Sequence, residues 1–406
     1  MRLVEQHIIR NTEWRDWCVK AKNLYNQALY YWRQSVFGKI EYFSEYELTT
    51  LFAEFDEENY RSLPANSSQQ IVKTLFKNIK AWQKALKLYA KNPGIFLAKP
   101  KPPKYKKELS QLHFSNASVK LKNGYIHFPK MVGIAPMKTN IPNINHCRVI
   151  PKNDHFVVEF VYTVEEVELK PDNGKYMGVD LGLNNLATCS TNTGESFIIN
   201  GKIPKSINQW WNKQKAYLQA KLPNKRHTSK RIKKLTFNRN NKIENYIHHA
   251  SKFIVSKAEE LDINTIIIGN NKQWKTEVNL GKKNNQNFVS LPYLKLIDQT
   301  EYKARLKGIN VEITEESYTS KCSALDLETI CKHETYVGKR KKRGLFVTAT
   351  GKLINADANG SLNIIRKKYP LIVSEEVVSA VVAPKKIKHF NKVDNNIKYF
   401  IQNKQK

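Results

Sequence analysis

The amino-acid sequence predicts an α/β protein of more than one domain, and three changes of pattern along the chain carry that expectation. Residues 13–89 space their apolar side chains three and four apart. Residues 112–167 alternate them in short runs, and residues 175–368 interleave strands with helices.

In the first stretch Trp14, Trp17, Ala21, Tyr25 and Ala28 recur at helical steps, as do Ile71, Leu75, Ile79, Trp82 and Leu86. Stripes of this kind are packing surfaces, so these aromatic residues are assigned to a core. Ser67-Ser68 before Gln69-Gln70 predicts a helix start, and Asn92-Pro93-Gly94 a stop. Residues 99–107 follow as a stiff basic connector, Lys-Pro-Lys-Pro-Pro-Lys-Tyr-Lys-Lys. It is either a solvated linker or a strap that offers Lys104, Lys106 and Lys107 to a phosphate backbone. Alternating runs such as residues 155–162 then predict antiparallel strands of a small β-barrel.

The third stretch has a distinct order. Residues 176–181 form an apolar strand that carries Asp180, and two turns at Asn184-Asn185 and Asn192-Thr193-Gly194 set off strands at 186–190 and 196–199. A basic helical region spans about residues 207–261 and buries Ile243, Ile247, Ala250, Ile254 and Ala258 on one face. Strand 263–268, helix 293–307, strand 310–314 and a helix from about Asn359 complete the series. Three hairpin strands followed by helix–strand–helix–strand–helix is an RNase H-like order, with the later strands parallel to the first through right-handed crossovers. After Tyr369 the chain is low in signal, and a polar tail is expected from Pro384 onward.

The charge narrows the partner. The 406 residues hold 68 Lys and Arg against 36 Asp and Glu, a formal net charge of +32 spread along the chain. That excess repels itself unless polyanions neutralise it, which makes nucleic acid the expected partner. An anionic membrane would require an apolar anchor; the aliphatic runs near residues 265–268 and 377–382 are far too short to span one. Met1-Arg2-Leu3-Val4-Glu5 is no secretory leader, and five scattered cysteines read as reduced cytosolic thiols. A cytoplasmic, nucleoid-associated protein is expected.

Catalytic groups in such sheets collect beyond the carboxyl ends of adjacent parallel strands. Two-metal phosphodiester cleavage needs carboxylates there to hold divalent ions roughly 4 Å apart, and oxygen ligands select Mg²⁺ or Mn²⁺. Asp180, in Gly178-Val179-Asp180-Leu181-Gly182, meets the first requirement, because an acid among apolar strand residues is costly without a charged partner. Asp357 opens a helix in Asp357-Ala358-Asn359-Gly360-Ser361-Leu362-Asn363, and by itself would be an ordinary acid at a helix N-terminus.

The stretch Gly178-Val179-Asp180-Leu181-Gly182-Leu183-Asn184-Asn185-Leu186-Ala187 resembles the first RuvC motif of TnpB, the nuclease encoded by many insertion sequences. Tyr318-Thr319-Ser320-Lys321-Cys322-Ser323 is similar to the start of that family's zinc-ribbon region, and Asn355–Ile364 to its third RuvC motif. The resemblance runs from Lys175 to about Arg366 and more weakly over the N-terminal half, through a Leu63-Pro64 helix entry and the Lys101–Lys107 run. It implies an N-terminal helical recognition lobe at 11–95 and a wedge-like β-barrel built from 1–10 and 96–170. It places a RuvC domain at 171–370, with a helical insertion at about 205–262 and the ribbon at about 318–354, before a tail at 371–406. It further implies a guide RNA from the transposon end, a double-stranded DNA target beside a short flanking motif, and Mg²⁺-dependent cutting; type V CRISPR effectors are relatives. In such systems base pairing reads the target.

Two departures from the family pattern matter. Its second RuvC motif places Glu at the end of the fourth strand, where this chain has Gly269-Asn270-Asn271. The next parallel strand ends Thr314-Glu315-Glu316-Ser317, and neighbouring strands lie about 4.8 Å apart, within reach of a Glu side chain. Glu316 is therefore expected to supply the missing acid, with Glu315 as the alternative because only one of the two points inward; Glu277, beyond the strand end, is the weaker choice. Second, the ribbon's two Cys-x-x-Cys pairs are absent. Cys322, Cys331 and His333 fall short of four tightly paired ligands, so the ribbon is read as degenerate and zinc-free. In its place stands the run Lys339, Arg340, Lys341, Lys342 and Arg343, a candidate phosphate clamp. His248-His249 lack metal-ligating company, and Trp210-Trp211 read as helix-packing residues that would stack on bases if exposed. The expected function is RNA-guided DNA cleavage. The alternative is a guided binder that does not cut, since Gly269 carries no carboxylate; a strand transferase ranks last, for want of a Tyr or Ser nucleophile motif.

Overall fold

A computed structural model describes residues 1–10, 12–38, 41, 43–223, 226–271, 290–387 and 390. The chain divides into two compact units, Met1–Glu165 and, from Glu166 onward, the unit that ends near Asn395.

The first unit joins helices to antiparallel sheets. Strand β1 (Arg2–Ile9) leads to α1 (Glu13–Val36), α2 (Glu45–Glu54), α3 (Glu58–Arg61) and α4 (Ala65–Lys91). The helical spacing of the sequence becomes a real stripe: Trp14, Cys18, Ala21, Tyr25, Ala28 and Trp32 of α1 are buried in one core with Ile71, Leu75 and Ile79 of α4. Ser44 and Glu47 close a capping box at the start of α2. The start of α4 differs from the sequence expectation at Ser67-Ser68. The helix begins at Ala65 directly after Pro64, whose fixed φ suits a helix entrance, and both serines are buried, with Ser68 Oγ donating to the Tyr60 carbonyl at 2.6 Å.

Strands β2 (Leu112–Ser115), β3 (Lys120–Lys122), β4 (Tyr125–His127), β5 (Met137–Lys138), β6 (His146–Pro151) and β7 (Phe156–Thr163) follow. They form a four-stranded antiparallel sheet, β1-β7-β6-β2, and a three-stranded sheet, β3-β4-β5. The first ten residues thus pair with the last strand of the unit, Arg2 opposite Thr163. The Pro-Lys connector is held down on the helices. Trp82 Nε1 donates to the Pro100 carbonyl at 3.2 Å, Arg33 to that of Pro103 at 2.7 Å, and the Asn26 amide brackets the Lys106 backbone on both sides.

The second unit is the α/β core. Its strands are β8 (Tyr176–Leu181), β9 (Asn185–Thr191), β10 (Ser196–Asn200), β11 (Thr265–Gly269) and β12 (Asn310–Thr314). Helices α5 (Lys202–Ala220) and α6 (Lys230–Glu260) connect β10 to β11, and α7 (Tyr293–Arg305) precedes β12. A small sheet of β13 (Lys339–Lys342), β14 (Leu345–Val347) and β15 (Leu353–Asn355) leads into α8 (Ala356–Arg366), then α9 (Glu375–Val382) and β16 (Lys385–Ile387).

The central sheet runs β12-β11-β8-β9-β10-β16. Strands β8, β9 and β10 are antiparallel hairpins, while β11 is parallel to both β8 and β12. This is the RNase H-like arrangement that the order of elements predicts. Helices α6 and α7 bury Ile247, Ala250, Ile254, Leu296 and Ile297 in one core with Met177, Val179, Ile266 and Ile268 of the sheet. Leu362, Ile364 and Ile365 of α8 share a second core with Ile267. The approach of α8 is close because position 178 has no side chain: a Cβ there would lie 2.0 Å from the Ser361 carbonyl oxygen. The polar tail expected from Pro384 instead begins with a strand, since Lys385–Ile387 pairs in parallel with the open edge of β10. No helix among the described residues is long and apolar enough to cross a membrane.

Candidate active site

Parallel strands put their carboxyl ends at one edge of a sheet, and β8, β11 and β12 share such an edge. Asp180 stands near the end of β8, paired with Thr188 of β9. Asp357 lies in the first turn of α8, where the Asn355 side chain takes the capping role by accepting from the backbone N–H groups of Asp357 and Ala358 at 3.0 and 3.1 Å. The Asp357 carboxylate is therefore left to the cleft. There it accepts from Asn185 Nδ2 at 2.6 Å and meets Arg340 at 3.5 Å.

Glu316 and Glu315 separate as side-chain alternation requires. Glu315 is exposed. Glu316 follows two residues after Thr314, the register partner of Gly269, and its side chain folds back over that glycine. A Cβ at position 269 would lie 2.5 Å from both Cγ and Oε1 of Glu316 and 2.7 Å from Ile364 Cδ1. The carboxylate thus fills the space that a side chain at 269 would need. Asn271 Oδ1 accepts from the Glu316 backbone N–H at 2.9 Å and fixes the bend. Glu277 lies outside the described residues.

The electrostatics match three acids crowded at one edge. Burial, then the negative charges of Glu316 and Asp357, hold the Asp180 carboxyl well above the usual carboxylate range, with Arg340 opposing. Burial pushes Glu316 up to about 7 against the pull of Lys367. Glu316 Oε1 is buried and has no hydrogen-bond partner. A buried carboxylate oxygen left in that state is expensive unless a cation completes it, so the donor set suits a hard divalent ion. Among the described residues no group of three or more His, Cys, Asp and Glu is placed so that it could hold a metal ion as the side chains stand.

Beside the acids lies a cleft of about 310 Å³ lined by Asp180, Asn185, Lys202, Arg340, Arg343 and Asp357, among others. Of the basic run 339–343, Arg340 and Arg343 line this cleft with the acids, and Lys339, Lys341 and Lys342 are exposed outside its lining. The connector lysines divide. Lys104 and Lys107 are exposed, whereas the Lys106 ammonium turns inward, donating to Ser110 Oγ at 2.6 Å and lying 3.8 Å from the Tyr25 ring centroid.

Residues 159–275 match the family model described as a probable transposase (OrfB_IS605), and residues 293–364 that of a Cas12f1-like TNB domain. The chain is 25% identical over 218 residues to the TnpB-like protein ORF457 of Acidianus two-tailed virus, across 51% of this chain and 44% of that one. It is 27% identical over 185 residues to the TnpB-like protein MJ0751 of Methanocaldococcus jannaschii, across 43% of this chain and 63% of the relative. Over these segments the chain is similar to TnpB-like proteins. The match thus spans less than two thirds of the length of either curated TnpB-like relative. Among solved structures, a Cas12f1–sgRNA–target DNA complex aligns with 90% of this chain and 98% of its own at 17% identity and a TM-score of 0.38. CasPhi-2 (Cas12j) bound to crRNA aligns over the same shares at 9% identity and 0.47.

Against the TnpB pattern, the ribbon region is tied by side-chain hydrogen bonds. The buried Glu328 carboxylate accepts from the backbone N–H groups of Ser323 and Val337 at 2.6 and 2.9 Å. Asp326 accepts from the Ala349 N–H at 2.8 Å. From α8, Asn359 both donates to the Cys322 carbonyl and accepts from the Ala324 N–H at 2.9 Å, and Asn363 donates to the carbonyls of Thr319 and Cys322. Arg366 completes the set on the Glu328 carbonyl at 2.9 Å. Cys331 Sγ lies 3.4 Å from His333 Nε2, while the buried Cys322 thiol donates weakly to the Thr329 carbonyl.

Sequence reasoning missed Asn185 and Asn271, both of which orient acids. Each sits in an Asn-Asn pair, and Asn is so common in turns that a turn was sufficient explanation for both.

Proposed function

We propose that this chain is an RNA-guided DNA endonuclease in which Asp180, Glu316 and Asp357 hold two Mg²⁺ (or Mn²⁺) ions. The observation that carries the reading is the Glu316 carboxylate occupying the side-chain space above Gly269, beside Asp180 and Asp357. The family's second-motif acid is thus moved one strand over. When bound, such ions activate a water and steady the leaving oxygen of a phosphodiester.

The chain's own groups do the rest. Asn185 fixes the orientation of the Asp357 carboxylate. Arg340 and Arg343, which line the same cleft as Asp180 and Asp357, bind the phosphate and offset charge that would otherwise repel it. Burial of Asp180 and Glu316 leaves their carboxyls poorly solvated, which strengthens their attraction for a cation. In this reading residues 11–95 form the recognition lobe and residues 1–10 with 96–170 the wedge. A guide RNA from the transposon end and double-stranded target DNA supply the polyanions that the +32 charge requires.

The test begins with sequencing the RNA that copurifies with the protein, then offering a plasmid that matches it. Cutting that needs Mg²⁺ and is lost in Asp180→Ala supports the nuclease. Wild-type protein that binds the matched plasmid and leaves it intact with Mg²⁺ present makes the chain a guided binder instead.

A further inference from the structure

From Ser196 to Ile243 the chain has no acidic residue and thirteen lysines and arginines. Among the exposed positions of α5 one line stands out: Lys202, Ser206, Trp210, Lys213, Tyr217 and, just past the helix end, Lys221. Steps of three and four make this a single face. Trp210 and Tyr217 are 54% and 56% exposed, large values for aromatic side chains in a region with an apolar core nearby.

The neighbouring tryptophan is occupied. Trp211 Nε1 donates to Thr236 Oγ1 at 3.2 Å, and its ring has Arg239 5.3 Å away, so it packs toward α6. Trp210, one position earlier, is more than half exposed. The line also has a direction, because Lys202 at its start lines the cleft beside Asp180 and Asp357.

We infer that this face of α5 is a track for single-stranded nucleic acid entering the acidic cleft, with unpaired bases stacked on Trp210 and Tyr217 and phosphates held by Lys202, Lys213 and Lys221. Seven helical residues separate the two rings by about 10 Å along the axis, which is three base steps at about 3.4 Å each. The Lys221 ammonium, 4.2 Å from the Tyr217 ring centroid, puts a phosphate partner next to a stacking platform. A duplex would leave both rings without a base face to meet, whereas a single strand offers one at every step. This inference deepens the nuclease reading by naming the strand delivered to the cleft, and rests on it for that purpose alone.

The experiment measures binding of a labelled 20-nucleotide single strand, and of the same sequence as a duplex, to the whole protein in EDTA, so that cleavage plays no part. Trp210→Ala with Tyr217→Ala is expected to weaken single-strand binding by roughly thirtyfold or more and duplex binding by less than about twofold. Trp210→Phe should keep most of the affinity, and thermal melts should match the wild type. Unchanged single-strand binding, or equal losses for both nucleic acids, overturns the track. A protein that never cuts but shows the aromatic-dependent preference retains the track and loses the nuclease reading.

Discussion

The acidic edge and the ribbon region both lack residues that the TnpB pattern supplies, and different groups stand at the two places. At the edge a missing carboxylate is met by another carboxylate, with Glu316 folded into the space above Gly269. In the ribbon region Glu328, Asp326, Asn359, Asn363 and Arg366 fasten the loop's backbone directly. The difference follows from what each group is for. A metal that serves only as a cross-link is replaceable by other cross-links of similar strength. A negative charge that serves a reaction is replaceable only by another negative charge near the same point.

The comparison breaks most visibly at the edge. Gly269→Ala puts a methyl group where the Glu316 carboxylate lies and is expected to lower cutting of a guide-matched plasmid by about a thousandfold, as is Glu316→Gln, since losing one ligand forfeits several kcal/mol of charge stabilisation. Pairing Gly269→Glu with Glu316→Ala returns an acid to the family position and should recover a substantial part of the rate. Normal cutting by both Glu316→Gln and Glu315→Gln would remove the relocated acid from the mechanism.

The ribbon predicts a smaller effect, on stability. Glu328→Ala strands the N–H groups of Ser323 and Val337 in a buried setting and should cost about 3 kcal/mol in urea unfolding. A zinc-selective chelator should leave the midpoint unchanged. A chelator effect as large as that of the substitution would mean that Cys322, Cys331 and His333 hold a metal and that the two regions are alike after all.

The smallest effect is a drift with pH. Burial holds the Glu316 pKa at about 7, above the ordinary 4.5. The folded, metal-free protein therefore binds more protons than the unfolded chain between those values. The stability this group contributes is whole below 4.5 and is lost as pH rises toward 7. Melting temperatures in EDTA should fall gently across that window and flatten in Glu316→Gln, while Mg²⁺ should oppose the fall by binding the ionised form.

Much of the second unit was legible because its signals are local. Hairpin turns, an acid inside an apolar strand and a helix-start motif are each read within a few residues, and once the TnpB resemblance marked an acid as missing at Gly269, strand spacing pointed to Glu316. Features that depend on distant partners were not legible. Lys385–Ile387 has no strand pattern of its own and pairs because β10 offers an edge. Lys106 looks like its neighbours until Tyr25 and Ser110 claim its ammonium. Asn185 becomes a site residue only when α8 brings Asp357 to it, 172 positions along the chain.

The bare backbone at Gly178 has a consequence for how such a protein diverges. With the main chain of α8 resting directly on β8, the gap between two acids 177 positions apart is gauged by peptide groups rather than by side-chain size. Core residues elsewhere can change volume without altering that gauge, whereas adding a single methyl group at 178 would pry the pair apart.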